Sequence, residues 1–211
     1  MNYPLHRRNQ GTQASTIQPI IHIPLFTNAV DIIGGVQPTR VNQMTFHATN
    51  GGVFNGNNSE IWYGNLLNMP EWTISFECYP TSHAAYKAPF GTYELTPVEI
   101  AGIGIEFGVS QFIFLYVLAT SGRQDILLPT QSTFPLNNWS TIVVAVKNNE
   151  RITLWSNNVL VFDSPISEPL NVNQPFCIGN KYRVTGTNRN FSGNQRNYKI
   201  YNKYLTPTDI N

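Results

Sequence analysis

Residues 138–163 read Asn138-Trp139-Ser140-Thr141-Ile142-Val143-Val144-Ala145-Val146-Lys147-Asn148-Asn149-Glu150-Arg151-Ile152-Thr153-Leu154-Trp155-Ser156-Asn157-Asn158-Val159-Leu160-Val161-Phe162-Asp163. Ser140 to Lys147 is β-branched and apolar. Asn148-Asn149 tolerates positive φ and suits a hairpin turn. Arg151 to Ser156 then alternates, with Ile152, Leu154 and Ser156 on one face and Arg151, Thr153 and Trp155 on the other. Asn157-Asn158 is a second turn, and Val159 to Phe162 returns. Three strands joined by two tight turns form a meander, and a meander needs a second sheet over its apolar face. The stretch therefore predicts an all-β fold, a two-sheet antiparallel β-sandwich whose second sheet comes from the rest of the chain.

The chain has 211 residues, of which 41% are hydrophobic, enough for one sandwich of generous size. Thirteen basic against 12 acidic residues leave a net charge of +1. That balance argues against nucleic acid or an anionic membrane as partner. Polarity comes from amides instead: 25 residues are Asn, a residue suited to turns. The two cysteines, Cys78 and Cys177, are too few for a disulfide scaffold and read as buried thiols. No stretch approaches the roughly 18 apolar residues of a membrane span. Met1 to Arg8 carries basic residues with no apolar run directly after them, so it does not read as a signal peptide.

Residues 1–16 form a polar N-terminal arm, and residues 17–211 form the domain. Ile17 to Phe26 reads as an edge strand broken by Pro19 and Pro24. Met44 to Thr49, Val53-Phe54, Glu60 to Tyr63 and Trp72 to Tyr79 follow as strands, and residues 81–97 as a loop. Val98 to Val109, Phe112 to Ala119 and Gln124 to Leu128 lead into the meander. Phe176 to Gly179 and Tyr198 to Tyr204 close the sheet. Thr206-Pro207-Thr208-Asp209 reads as a helix start cut short. The expected core is Phe54, Trp72, Ile74, Phe76, Val144, Leu154 and Ile200.

The order of these elements resembles the laminin-G-like, concanavalin A-like lectin/glucanase superfamily over residues 20–211. Four pieces carry the likeness: Pro24-Leu25-Phe26 with Asp31; Val53-Phe54-Asn55-Gly56 with Ile61; Trp72 to Pro80; and Asn138 to Val144 with Arg151 to Asn158. The close is the most specific, with Ile178-Gly179, Phe191-Ser192-Gly193 and Ile200 to Ile210. Two departures stand out: Asn158, where the family usually turns on Gly, and Gln195-Arg196-Asn197, where an apolar residue is expected. The resemblance implies a concanavalin A-like jelly roll, and a fold does not by itself give a function.

Glucanases of this superfamily need two carboxylates across a cleft. The nearest match is Glu99 and Glu106, seven apart, which read as solvated edge residues on opposite strand faces. No triad is legible, and His6, His22, His47 and His83 lack metal-ligand spacing, so the expectation is no enzyme. The resemblance also implies calcium at a loop rim. Asp31, Asp125 and Asp163, however, are isolated acids that read as ordinary turn residues, so no cofactor is expected. The sequons at Asn57, Asn138 and Asn190 are no more than the roughly three or four that chance supplies in so Asn-rich a chain.

Sugar binding needs aromatic faces and amides on loops. Trp62, Tyr63, Trp155, Tyr182, Asn188 and Asn190 are candidates, with Trp62 and Trp155 favoured as core. Loop 181–190, carrying Tyr182, Arg183, Asn188 and Asn190, is the expected ligand contact surface. Two functional readings remain. In the first the protein is a structural or attachment component of a virus particle, located in the virion. Its arm lies on a neighbouring subunit through Arg7 and Arg8, which pair with acidic groups there, or else folds back beside Ile17. In the second it is a glycan-binding lectin module of a cell-surface or secreted protein. Partners are thus other protein subunits, with glycans as the alternative.

Overall fold

The computed structural model describes residues 17–84, 86–92, 95–96, 98–99, 102–107, 111–129, 134–181 and 189–210. Among them there is no helix, and seventeen strands follow one another. They are β1 (Ile21–Ile23), β2 (Arg40–Asn42), β3 (Thr45–His47), β4 (Gly51–Asn55), β5 (Glu60–Trp62), β6 (Glu71–Pro80), β7 (Phe90–Gly91), β8 (Leu95–Thr96), β9 (Val98–Glu99), β10 (Ile103–Phe107), β11 (Gln111–Leu118), β12 (Gly122–Pro129), β13 (Ser140–Lys147), β14 (Arg151–Ser156), β15 (Val159–Pro165), β16 (Cys177–Ile178) and β17 (Ser192–Tyr201). One sheet runs β15-β14-β13-β6-β17-β4-β3, with β1 also paired to β17. The facing sheet runs β12-β11-β10-β7-β16-β5-β2, and β8-β9 is a separate hairpin.

The meander forms as its pattern requires. β13 pairs with β14 from Ile142↔Ser156 to Lys147↔Arg151, and β14 pairs with β15. Asn157 and Asn158 turn at φ 50° and 66°, so two asparagines supply the twist for which the family usually uses Gly. β13 then pairs with β6, and β6 with β17. The inward row Trp72, Ile74, Phe76 and Cys78 lies at the centre of the core, and every predicted core residue is buried. The Phe76 ring stacks on Tyr198 at 4.7 Å between centroids.

The closing motif has a steric reason. Gly179 sits at φ 81°, and a Cβ there would lie 2.1 Å from Cε1 of Phe54; Gly193 sits at φ 134°, and a Cβ would lie 2.1 Å from Tyr79 O. Both glycines let one sheet's backbone approach its neighbours more closely than a side chain permits.

Four sequence expectations change. Residues 81–97 are not simply a loop, because Phe90-Gly91 pairs with both β10 and β16 in the middle of the second sheet. The first strand shrinks to Ile21–Ile23, between its prolines. The last strand begins at Ser192 and ends at Tyr201, with its register shifted between Arg196 and Lys199 and Asn197 at φ 55°. That bulge explains the polar run: Arg196 Nε and Asn197 Nδ2 both donate to the Glu77 carboxylate, at 2.8 and 2.6 Å. Trp155 is buried outside the main core. It packs with Val143 and Ala145 on the outer face of the first sheet, under Tyr204 and Ile210 of the returning C-terminal segment.

The two thiols are free and buried. Cys78 faces the core, whereas strand alternation turns Cys177 to the outer face of the second sheet, because its neighbour Ile178 points inward. Burial pushes both thiols up in pKa.

Candidate functional site

On β5, the alternation that sends Ile61 into the core sends Glu60 and Trp62 to the outer face of the second sheet. Register sets Trp62 beside Arg40 and Cys177. With Thr39, Tyr63, Gly64 and Pro175, Arg40 and Trp62 bound an open cleft of about 330 Å³. Thr39 fixes its floor, its N and Oγ1 donating to Trp62 O at 2.7 and 3.1 Å.

From this cleft a line of polar groups crosses the sheet. Arg40 lies 3.4 Å from Glu60. Asn180 Nδ2 donates to Glu60 at 2.8 Å, and Asn180 Oδ1 accepts from Lys181 N at 2.7 Å. Lys181 Nζ lies 2.5 Å from Glu106 Oε2, and Arg189 lies 2.9 Å from the same oxygen. Arg189 Cζ in turn stands 4.8 Å from the centre of the Tyr86 ring. Glu106 thus clamps both ends of stretch 182–188. Backbone bonds from Ala88 N to Arg189 O and from Phe191 N to Gly179 O close its base. Burial pulls Lys181 down to about 8, against the opposing pull of Glu106.

Tyr86 has no signature in the sequence. It is 56% exposed and held at φ 71°, a conformation that costs a bulky residue about 1–3 kcal/mol. Its N–H donates to Phe107 O at 2.7 Å, so the strand fixes the backbone and the ring projects outward.

The nominated residues divide. Trp62 lines the cleft, although most of its ring is packed. Tyr63 is corrected to a core residue: it is fully buried and its hydroxyl donates to Ala29 O at 2.6 Å. Asn190 is also corrected, since it is 3% exposed and its Nδ2 donates to Ser59 O, which makes it an anchor of the loop base and not a contact surface. Lys181 is likewise buried. Tyr182, Arg183 and Asn188 lie outside the described residues, as do Arg7 and Arg8.

Glu106 is not solvated; it is buried between cations, and it lies on a different strand from Glu99. Glu60 also points outward, as does Asp125 on β12, which is paired with Arg123. Continuing the register by one residue puts Glu60 and Glu106 in one row, three strand spacings apart, roughly 14 Å at the backbone. Glycosidase carboxylates stand about 5–10 Å apart.

Asp31 spends its carboxylate on four backbone N–H groups, those of His22, Ile33, Gly34 and Val36. Burial would raise its pKa, but these bonds outweigh it and hold the carboxyl below the ordinary range. Asp125 and Asp163 bind Arg123 and Arg151. Among the described residues no group of three or more His, Cys, Asp or Glu is placed to hold a metal ion, and no helix is long and apolar enough to cross a membrane.

A family model described as the concanavalin A-like lectin/glucanases superfamily matches residues 45–211. The chain belongs to this superfamily. No curated protein matches it. Among solved structures, the receptor-binding domain of botulinum neurotoxin D superposes with a TM-score of 0.69 at 17% identity, over 92% of this chain and 51% of that one. Domain 4 of AbnA, an extracellular arabinanase from Geobacillus stearothermophilus, solved in complex with arabinotriose, gives 0.66 at 17% identity, over 92% and 96%. The botulinum neurotoxin D ligand-binding domain in complex with N-acetylneuraminic acid gives 0.68 at 16%, over 92% and 50%. The chain thus spans about half the length of the toxin domains it matches. At these identities the likeness is one of fold.

Proposed function

We propose that this superfamily member is a non-catalytic glycan-binding domain that takes a neutral sugar unit in the cleft at Trp62. The observation that carries this reading is the cleft itself. It is concave and open, with an indole in its wall, Thr39 in its floor and a guanidinium beside them, a combination suited to sugar C–H faces and hydroxyls. Two similarly folded domains have been solved with sugars, which adds support. The separation of Glu60 and Glu106, each already paired, supports binding without hydrolysis. We assign Tyr182, Arg183 and Asn188 to a second sugar contact. A glycan array with the intact chain tests the reading. Specific binding should fall at least about tenfold in Trp62→Ala and in Tyr182→Ala; a blank array, or binding indifferent to Trp62, overturns it.

A second reading, a structural or attachment role in a virus particle, draws support from the edges of the sheets. Val159 and Leu160 on edge strand β15 are 65% and 51% exposed, apolar surface of the kind that subunit contacts use. In this reading residues 1–16 are an arm outside a domain formed by 17–211, with Arg7 and Arg8 pairing with a neighbour. Mass spectrometry of purified particles, with release of the protein in Arg7→Ala/Arg8→Ala, is the expected result. Absence from particles ends this reading.

A further inference from the structure

The first sheet also has an outer face, and part of it is open. The C-terminal segment folds back over this face. Thr73 Oγ1 donates to Lys203 O at 2.7 Å and accepts from Leu205 N at 2.8 Å, and Ile210 packs on the Val143 cluster. Where the segment lifts away, it leaves a groove of about 150 Å³ over β13, β6 and β17. That space corresponds to roughly five waters of liquid, enough for a single sugar ring.

The chemistry of the lining is uneven. Val143, Pro207 and Ile210 form an apolar wall, while Ser75, Thr141 and Tyr201 bring hydroxyl groups. Glu77 also lines the groove, but its carboxylate is held by Arg196 and Asn197. Lys199 is different. It is half-buried, and no carboxylate among the described residues pairs with it. Burial, and after it Lys199 itself, pulls the pKa of its strand partner His22 below the ordinary imidazole value. The groove therefore combines an apolar wall, hydroxyl donors and one cation with no anion assigned to it.

We infer that this groove is a second, independent binding site for a single sugar unit bearing a carboxylate, a uronate, with the carboxylate on Lys199 and the ring's C–H face against Pro207 and Ile210. It does not rest on the Trp62 cleft, which lies on the opposite outer face of the sandwich.

The test is amide NMR titration of the intact chain with glucuronate and with glucose, which differ at the position of the carboxylate. The expected result is that glucuronate shifts Thr141, Lys199 and Tyr201, and binds about tenfold more tightly than glucose, the contribution of one charge-assisted contact. Lys199→Met should remove the preference and Lys199→Arg should retain it. Methyl glucuronide, blocked at the anomeric oxygen but still a carboxylate, binding equally well identifies the end unit of a chain; binding confined to glucuronate with a free anomeric hydroxyl identifies a free uronate. The inference is overturned if glucuronate leaves the groove amides unmoved, or if Lys199→Met keeps the preference. Shifts at Arg40 and Trp62 report the other cleft, so the two readings fail separately.

Discussion

Replacing Glu106 by Gln keeps the side chain's shape and removes its charge. The Lys181 and Glu106 side chains are 1% and 3% exposed, so the pair has almost no solvent to fall back on. Breaking a buried pair commonly costs about 3–5 kcal/mol. Here the lysine has an escape. With Lys181 near 8, its protonated form is favoured at pH 7 by about one unit, or about 1.4 kcal/mol. Without Glu106, burial drives the amine neutral, so the lysine's share of the loss is limited to that amount. Arg189, 27% exposed, loses a partner worth roughly 0.5–1 kcal/mol. The expected penalty is therefore about 2 kcal/mol at pH 7, below the usual range for a broken pair. It also carries a pH signature. The wild-type Lys181 pKa is lowered relative to the unfolded chain, so its ionisation makes wild-type stability rise with pH between about 8 and 10.5. The variant, neutral throughout, gains that stability from lower pH onward on the lysine term. The penalty excluding this term is constant, so the total grows by about 1.4 kcal/mol per unit as pH falls from 8 to 6 and flattens above 9. Urea denaturation at pH 6, 7, 8 and 9, followed by tryptophan fluorescence, measures it. The double variant Glu106→Gln/Lys181→Met should recover most of the loss. A penalty that is flat from pH 6 to 9 refutes an ionised Lys181 held against Glu106.

Gly179→Ala should cost about 2–4 kcal/mol, the sum of a left-handed backbone and a methyl group forced against Phe54, and a thermal melt should show the drop. Asp31→Asn removes the charge and replaces one of the two oxygens, each the acceptor of two N–H groups, by an NH2 donor, and should lose about 1–3 kcal/mol at neutral pH. Because the Asp31 carboxyl is held low, its stabilisation is present above the unfolded value of about 3.9 and is lost as pH falls through the folded value. The gap between variant and wild type should close in strong acid, as read from urea midpoints. Cys78 and Cys177 should resist alkylation in the native chain and react at the rate of unfolding when urea is added; fast labelling by a small maleimide in buffer would contradict their burial.

The meander was legible because everything that specifies it lies within 26 consecutive residues: alternation, β-branching, and asparagines where the chain must turn with positive φ. The core row on β6 was legible for the same reason, since period two over Trp72 to Cys78 admits one inward face. Gly179 and Gly193 were visible only as letters of a motif; the atoms that make them necessary, Phe54 and Tyr79, lie more than 100 residues away in the chain. The candidate site was almost wholly hidden. Phe90-Gly91 is too short to carry a period, and its place in mid-sheet depends on β10 and β16. Glu60 finds Asn180, and Glu106 finds Lys181 and Arg189, across 75 to 120 positions, and nothing local to either glutamate says that it is buried. Asn190 looked like a loop amide because its neighbours are polar, yet Ser59 O makes it an anchor. Side-chain alternation and turn chemistry are local properties, and they determine strands and hairpins directly. Burial, ion pairing and clefts depend on which distant strands share a face, and only the closing of the two sheets decides that.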